Sequence, residues 1–181
     1  MAGAAIQRRL SWRFGDVTDV IDETTRVRSI ILAVPGWPGH LAGQHVDVRL
    51  TAGDGYRAER SYSIASAPDA GETLAMTVER LVDGEVSEYL TGELRAGDRL
   101  EFRGPIGGYF VWDVSAGGPL LLVAGGSGVC PLMAMLRTVP PGPVRSPPVS
   151  STHRGRWRTS STARSLIASP PAVTASRWCT R

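Results

Sequence analysis

The chain has 181 residues, 42% of them apolar, enough to bury one core of ordinary size, which excludes a disordered or fibrous protein. All twenty basic residues are Arg and all seventeen acidic residues precede residue 138, so residues 1–137 carry a net charge of −4 and residues 138–181 one of +7. The overall +3 describes neither part and is no guide to a nucleic-acid or membrane partner. Residues 1–10 read as an N-terminal extension, with no apolar run behind Arg8 and Arg9 of the kind a secretory signal needs. Two cysteines without CxxC spacing and three scattered histidines signal neither a structural metal nor an iron-sulfur cluster, and suit a cytoplasmic setting.

From Ser11 to Asp113 short strands alternate with turns. WRFGDVTDVIDET and VRSIILAV give two strands, Pro35 to Gly39 a loop, and QHVDVRL a third strand with period-two alternation. RAERSYSIAS, TLAMTVERL and DRLEFRG complete six. A short helix is expected over Val86–Leu94, with Ser87 as its cap. Six strands in about a hundred residues, with no pair of long amphipathic helices, predict a mainly β fold built on a closed or nearly closed antiparallel barrel.

Beyond the barrel, Pro119–Ala124 reads as a parallel strand buried on both faces, followed by the turn Gly125-Gly126-Ser127-Gly128 and a helix over Val129–Arg137. Residues 119–136 are long enough for a membrane span, but three Gly, a Ser and a Pro inside the run favour strand, turn and helix, so no span is expected. One strand and one helix cannot cover their own apolar faces, so this unit, an incomplete α/β nucleotide-binding domain over 114–137, is expected to expose apolar surface. Cys130 reads as a small buried thiol.

The stretch Arg60-Ser61-Tyr62-Ser63 carries the chemistry. An Arg two residues before a Tyr on a strand places a cation and an aromatic ring on one face, with a small hydroxyl alongside. A pyrophosphate, a planar ring and a hydrogen-bond acceptor on that ring are what these groups suit, although such a strand standing alone is more often merely amphipathic. Gly84-Glu85-Val86-Ser87 joins a glycine that permits close backbone approach to a helix start, a ready phosphate site. Gly125, Gly126, Ser127 and Gly128 form a candidate cradle for a dinucleotide pyrophosphate only because they lie between a strand and a helix. His45 reads as a satisfied surface or barrel histidine rather than a catalyst.

RSYSIAS, with GQHV before it and GEVSEYL, GPIGGYF and LLLVAGGSGVCPLMAMLR after it, resembles the ordered motif series of the ferredoxin reductase superfamily of flavin- and pyridine-nucleotide-dependent oxidoreductases. That resemblance implies a six-stranded antiparallel Greek-key flavin-binding barrel over 11–113, followed by the nicotinamide-nucleotide domain. It implies Arg60 on the flavin pyrophosphate, Tyr62 packed on the flavin ring, Ser63 near flavin N5, and Ser61 within the same binding strand. Gly84, Glu85, Val86 and Ser87 are implied at the flavin phosphate, and Gly125–Gly128 at the nicotinamide nucleotide. The implied cofactors are FAD, or FMN by the same chemistry, and NAD(P)H. The implied activity passes electrons from NAD(P)H through the flavin to a partner such as a ferredoxin, an oxygenase component or a small-molecule acceptor. A flavin-binding module without NAD(P)H turnover is the alternative.

The family continues past Arg137 with further strands and helices, and residues 138–181 do not. Pro, Ser, Arg and Thr make up 28 of those 44 residues, which predicts a disordered tail. With codons chosen freely, the same bases read in a displaced frame yield a string resembling the family's next strand, loop and helix, so the tail is expected to be frame-shifted. Seven Arg with a single aromatic interleaved before the last few residues, and no binding fold, do not make a nucleic-acid arm.

Overall fold

The computed structural model describes residues 10–118 and 120–139. The described residues up to Val139 form one compact unit; nearly all of the expected tail over 138–181, and residues 1–9 of the expected extension over 1–10, lie outside the described residues.

Six strands form where the alternation places them: β1 (Arg13–Asp22), β2 (Val27–Ala33), β3 (His45–Thr51), β4 (Arg57–Ser63), β5 (Thr73–Glu79) and β6 (Arg99–Ile106). All pair antiparallel in the order β4-β3-β6-β1-β2-β5, and the return of β6 between β3 and β1 is a Greek-key connection. Period-two alternation turns Ile30 and Leu32, Val46 and Val48, Leu74, Met76 and Val78, and Leu100 and Phe102 inward, where all are buried. Each large side chain so buried contributes roughly 1.5–3 kcal/mol.

The edge strands β4 and β5 meet at one end only. Ile64 bridges Met76, and the Ala65 N–H donates to the Ala75 carbonyl at 2.7 Å. Helix α1 (Glu85–Gly92) packs across the remaining gap against β2, β4 and β5, with Val86 and Leu90 fully buried in the barrel core and Leu94 beyond it. The helix begins at Glu85, two residues before the expected cap. Gly84 is the residue flanking its start, and Ser87 lies inside the first turn, its hydroxyl engaged with the preceding loop.

Helix α2 (Val129–Thr138) packs Leu132, Ala134 and Met135 on Ala42, with Trp112 and Leu122 at the margin. Cys130 is buried, as expected, and its thiol donates to the Thr77 carbonyl at 3.5 Å. The expected strand over Pro119–Ala124 is not formed: residues 120–124 take no regular structure, and Leu121 and Val123 are 87% and 82% exposed. A continuous apolar run becomes a parallel strand only beside other strands, and among the described residues none flanks it. The exposed apolar surface expected of this unit is present.

One buried polar group makes folding sensitive to acid. His40 accepts from Trp37 Nε1 at Nδ1 (3.2 Å), so its Nε2–H donates to the Ser66 carbonyl (3.1 Å) and the ring is neutral. Burial lowers the His40 pKa, and the bond to Ser66 only partly offsets this. A depressed histidine pKa gives stability that is complete above the unfolded-state value, about 6.5, and is lost as pH falls through that value towards the folded one. Urea unfolding at pH 8 and pH 5 is therefore expected to give lower stability at pH 5. A His40→Gln variant should lose part of that difference; an unchanged pH dependence would rule out the histidine as its source.

Candidate functional site

Arg60 and Tyr62 lie on the inner face of β4, opposite Val48 and Val46 of β3, where the gap between β4 and β5 is covered by α1. Alternation puts Ser61 and Ser63 on the other face. The Tyr62 ring packs on the barrel core, and burial, partly offset by the nearby Arg60, pushes its phenol up to about 12, so it stays neutral. Arg60 remains exposed. Its Nη1 donates to the Glu59 carbonyl at 2.7 Å, and its Nη2 lies 3.9 Å from Glu85 at the start of α1. A guanidinium, a half-buried ring and a helix N-terminus thus converge at one opening of the barrel.

The loop before α1 is built for close approach. The Ser87 hydroxyl accepts from the Leu81 N–H and donates to the Gly84 carbonyl, both at 3.1 Å. A Cβ at Gly84 would lie 2.3 Å from that hydroxyl oxygen, so any larger residue must push the Ser87 hydroxyl off its two hydrogen bonds. No side chain caps the helix, and the first-turn N–H groups of Glu85, Val86 and Ser87 face away from it. Uncapped amides beside an exposed Arg suit the phosphates of a flavin nucleotide, and Tyr62 beside them suits its ring. The Ser87 side chain is committed to the loop, leaving its backbone as what it can offer.

Ser61 does not join this cluster through its hydroxyl, which donates to Asp47 Oδ1 at 2.6 Å on the opposite face. There, burial works to raise the Asp47 pKa, but the bonds from Ser61 and Arg103 outweigh it and hold the carboxyl below its usual range. Arg103 also lies 3.7 Å from Glu59, and Arg49 forms an ion pair with Glu101 and stacks on Trp12 (3.9 Å), bracing the strand from behind. Ser63 is half-buried and stands opposite His45.

Gly126–Gly128 form a single 3-10 turn against β5, leading directly into α2. Gly126 has φ +55, which glycine alone adopts readily, whereas a Cβ at Gly125 or Gly128 would meet nothing within 4 Å. Successive β5 residues receive both motifs: Ala75 and Met76 take Ala65 and Ile64 from the end of β4, and Thr77 takes Cys130 from the start of α2. The Arg137 guanidinium closes the same junction by donating to the Ala65 carbonyl. Neither that bond nor the Tyr56 hydroxyl on Glu85 was evident from the motifs, although Tyr56 shares the odd-even parity of Arg60 and Tyr62.

Residues 16–111 match the family described as the oxidoreductase FAD-binding domain. The glycine betaine monooxygenase reductase subunit of Chromohalobacter salexigens is 42% identical over 95 residues, 52% of this chain and 25% of the relative. The aromatic O-demethylase reductase subunit of an Amycolatopsis strain is 34% identical over 125 residues, 67% of this chain and 36% of the relative. Among solved structures, an Amycolatopsis cytochrome P450 reductase superposes with a TM-score of 0.62 at 31% identity, covering 71% of this chain and 39% of that one. The chain therefore spans between about a quarter and two fifths of the length of these relatives. With the family match covering more than half of its length, the chain belongs to the oxidoreductase FAD-binding domain family, within the ferredoxin reductase superfamily.

Proposed function

We propose that the chain is the flavin module of an NAD(P)H-dependent reductase that passes electrons to an oxygenase or ferredoxin partner. The observation that carries this is the convergence of Arg60, Tyr62 and the uncapped start of α1 at one opening of the barrel. When bound, FAD would accept two electrons from a nicotinamide and release them singly. The chain's own residues position and tune. Arg60 and the Glu85–Ser87 amides hold the phosphates, Tyr62 covers one face of the ring, and Ser63, whose side chain lies on the other face of β4, adjoins it through its backbone. No general acid or nucleophile is required. The glycine turn at Gly125, Gly126, Ser127 and Gly128 is the candidate seat of the nicotinamide nucleotide, because it is anchored on the β5 residues next to those receiving the end of β4. That two relatives are a monooxygenase reductase subunit and an O-demethylase reductase subunit supports an oxygenase-linked acceptor. A chain with a buried thiol and no helix, among the described residues, long enough to cross a membrane fits a cytoplasmic setting.

A second reading, a flavin-binding module without turnover, draws on residues 120–124, which form no strand and leave Leu121 and Val123 exposed. Anaerobic mixing of the flavin-loaded protein with NADH or NADPH separates the two. Rapid bleaching of the yellow flavin supports the reductase; a bound flavin that neither nucleotide reduces supports the module; a chain that binds no flavin contradicts both.

A further inference from the structure

Arg60 does not face open solvent alone. Its Nη2 lies 3.9 Å from Glu85 Oε2, and the Tyr56 hydroxyl donates to Oε1 of the same carboxylate at 3.1 Å. Glu85 is the first residue of α1, where the amides and helix dipole favour an anion. The chain therefore supplies its own carboxylate to the two groups, a guanidinium and a helix N-terminus, that would receive a phosphate. A second anion arriving there meets a site already neutralised in part and a negative charge held in place by a tyrosine.

We propose that Glu85 is an internal counter-anion that competes with the flavin phosphates for Arg60 and the start of α1, setting the affinity for nucleotide flavins below what the rest of the site supports. The inference rests on the flavin-phosphate reading of Arg60. Both side chains are more than half exposed, so solvent screens the competition and the effect is moderate. It also discriminates among ligands: a phosphate-bearing flavin feels Glu85, whereas riboflavin, which presents the same ring and no phosphate, does not.

The test is titration of FAD, FMN and riboflavin into the full chain and its Glu85→Gln and Arg60→Ala variants, followed by flavin fluorescence. Glu85→Gln keeps the shape and the hydrogen-bond acceptor for Tyr56 while removing the charge. It is expected to tighten FAD and FMN roughly 2- to 5-fold and to leave riboflavin unchanged. Unchanged FAD affinity, or an equal change for riboflavin, overturns the proposal, because the latter would mean a general effect on the fold. The Arg60 variant separates the two levels. If it weakens FAD but not riboflavin while Glu85→Gln changes nothing, the counter-anion role falls and the phosphate site stands; if neither variant alters FAD relative to riboflavin, the phosphate site falls as well.

Discussion

Replacing Arg60 with Ala is expected to weaken FAD binding by roughly 10- to 100-fold, the loss of one or two charge-assisted hydrogen bonds at about 1.5–3 kcal/mol. The fold should be untouched. Arg60 is exposed, and its structural contacts are the carbonyl of its neighbour and a 3.9 Å approach to Glu85, neither of which stabilises a barrel appreciably. Circular dichroism and urea unfolding should therefore match those of the unaltered chain. Tyr62 differs, because its ring packs on the core, and truncating it mixes lost packing with lost flavin contact. Arg60 is thus the cleaner probe of the site. An Arg60→Ala chain that binds FAD as tightly as its parent would show that the pyrophosphate lies elsewhere.

The largest effect on stability is expected at Gly43. Its φ is +102, and an added Cβ would lie 1.7 Å from the Phe110 carbonyl oxygen and 3.0 Å from Met135 Cε. The first contact is with backbone and cannot be relieved by a rotamer change. Next to it, Ala42 bridges Trp112, whose N–H donates to the Ala42 carbonyl at 3.0 Å, and Ala42 is the barrel residue on which α2 packs. Gly43→Ala must displace the segment leading out of the barrel, the helix behind it, or both. A loss of about 3 kcal/mol or more is expected in urea unfolding, from strain at a left-handed position added to lost packing. Gly53 has open space around it and no positive φ, so Gly53→Ala should stay within about 0.5 kcal/mol. Equal behaviour of the two variants would contradict the close approach at Gly43.

Much of the barrel was legible because alternation is a local property. Val46, Val48 and Leu50 of β3 and Leu74, Met76 and Val78 of β5 announce their inner faces without knowledge of their partners. The closure between Ile64 and Met76 was not legible, since it depends on two edge strands meeting in space. The same limit explains residues 120–124. An apolar run signals burial, but burial needs neighbours, and none of the described strands pairs with it.

The site divides along similar lines. Arg60 and Tyr62 sharing a face follows from strand geometry, as does the placing of Ser61 on the opposite face, where Asp47 holds its hydroxyl. The motif lists Ser61 beside Arg60, yet the pleat separates them. Ser87 shows the other failure: a serine before an amphipathic stretch reads as a cap, but Gly84 supplies the turn three residues earlier and the serine folds back on it. What Gly84 contributes is space, and space is visible only once Ser87 is in place.

The central claim is that the opening formed by Arg60, Tyr62 and the start of α1 holds a flavin nucleotide. Calorimetric titration of FAD into the purified full chain, with riboflavin titrated in parallel, tests it most directly. One FAD per chain, bound more tightly than riboflavin, is the predicted result; no saturable binding, or riboflavin bound as tightly as FAD, would contradict it.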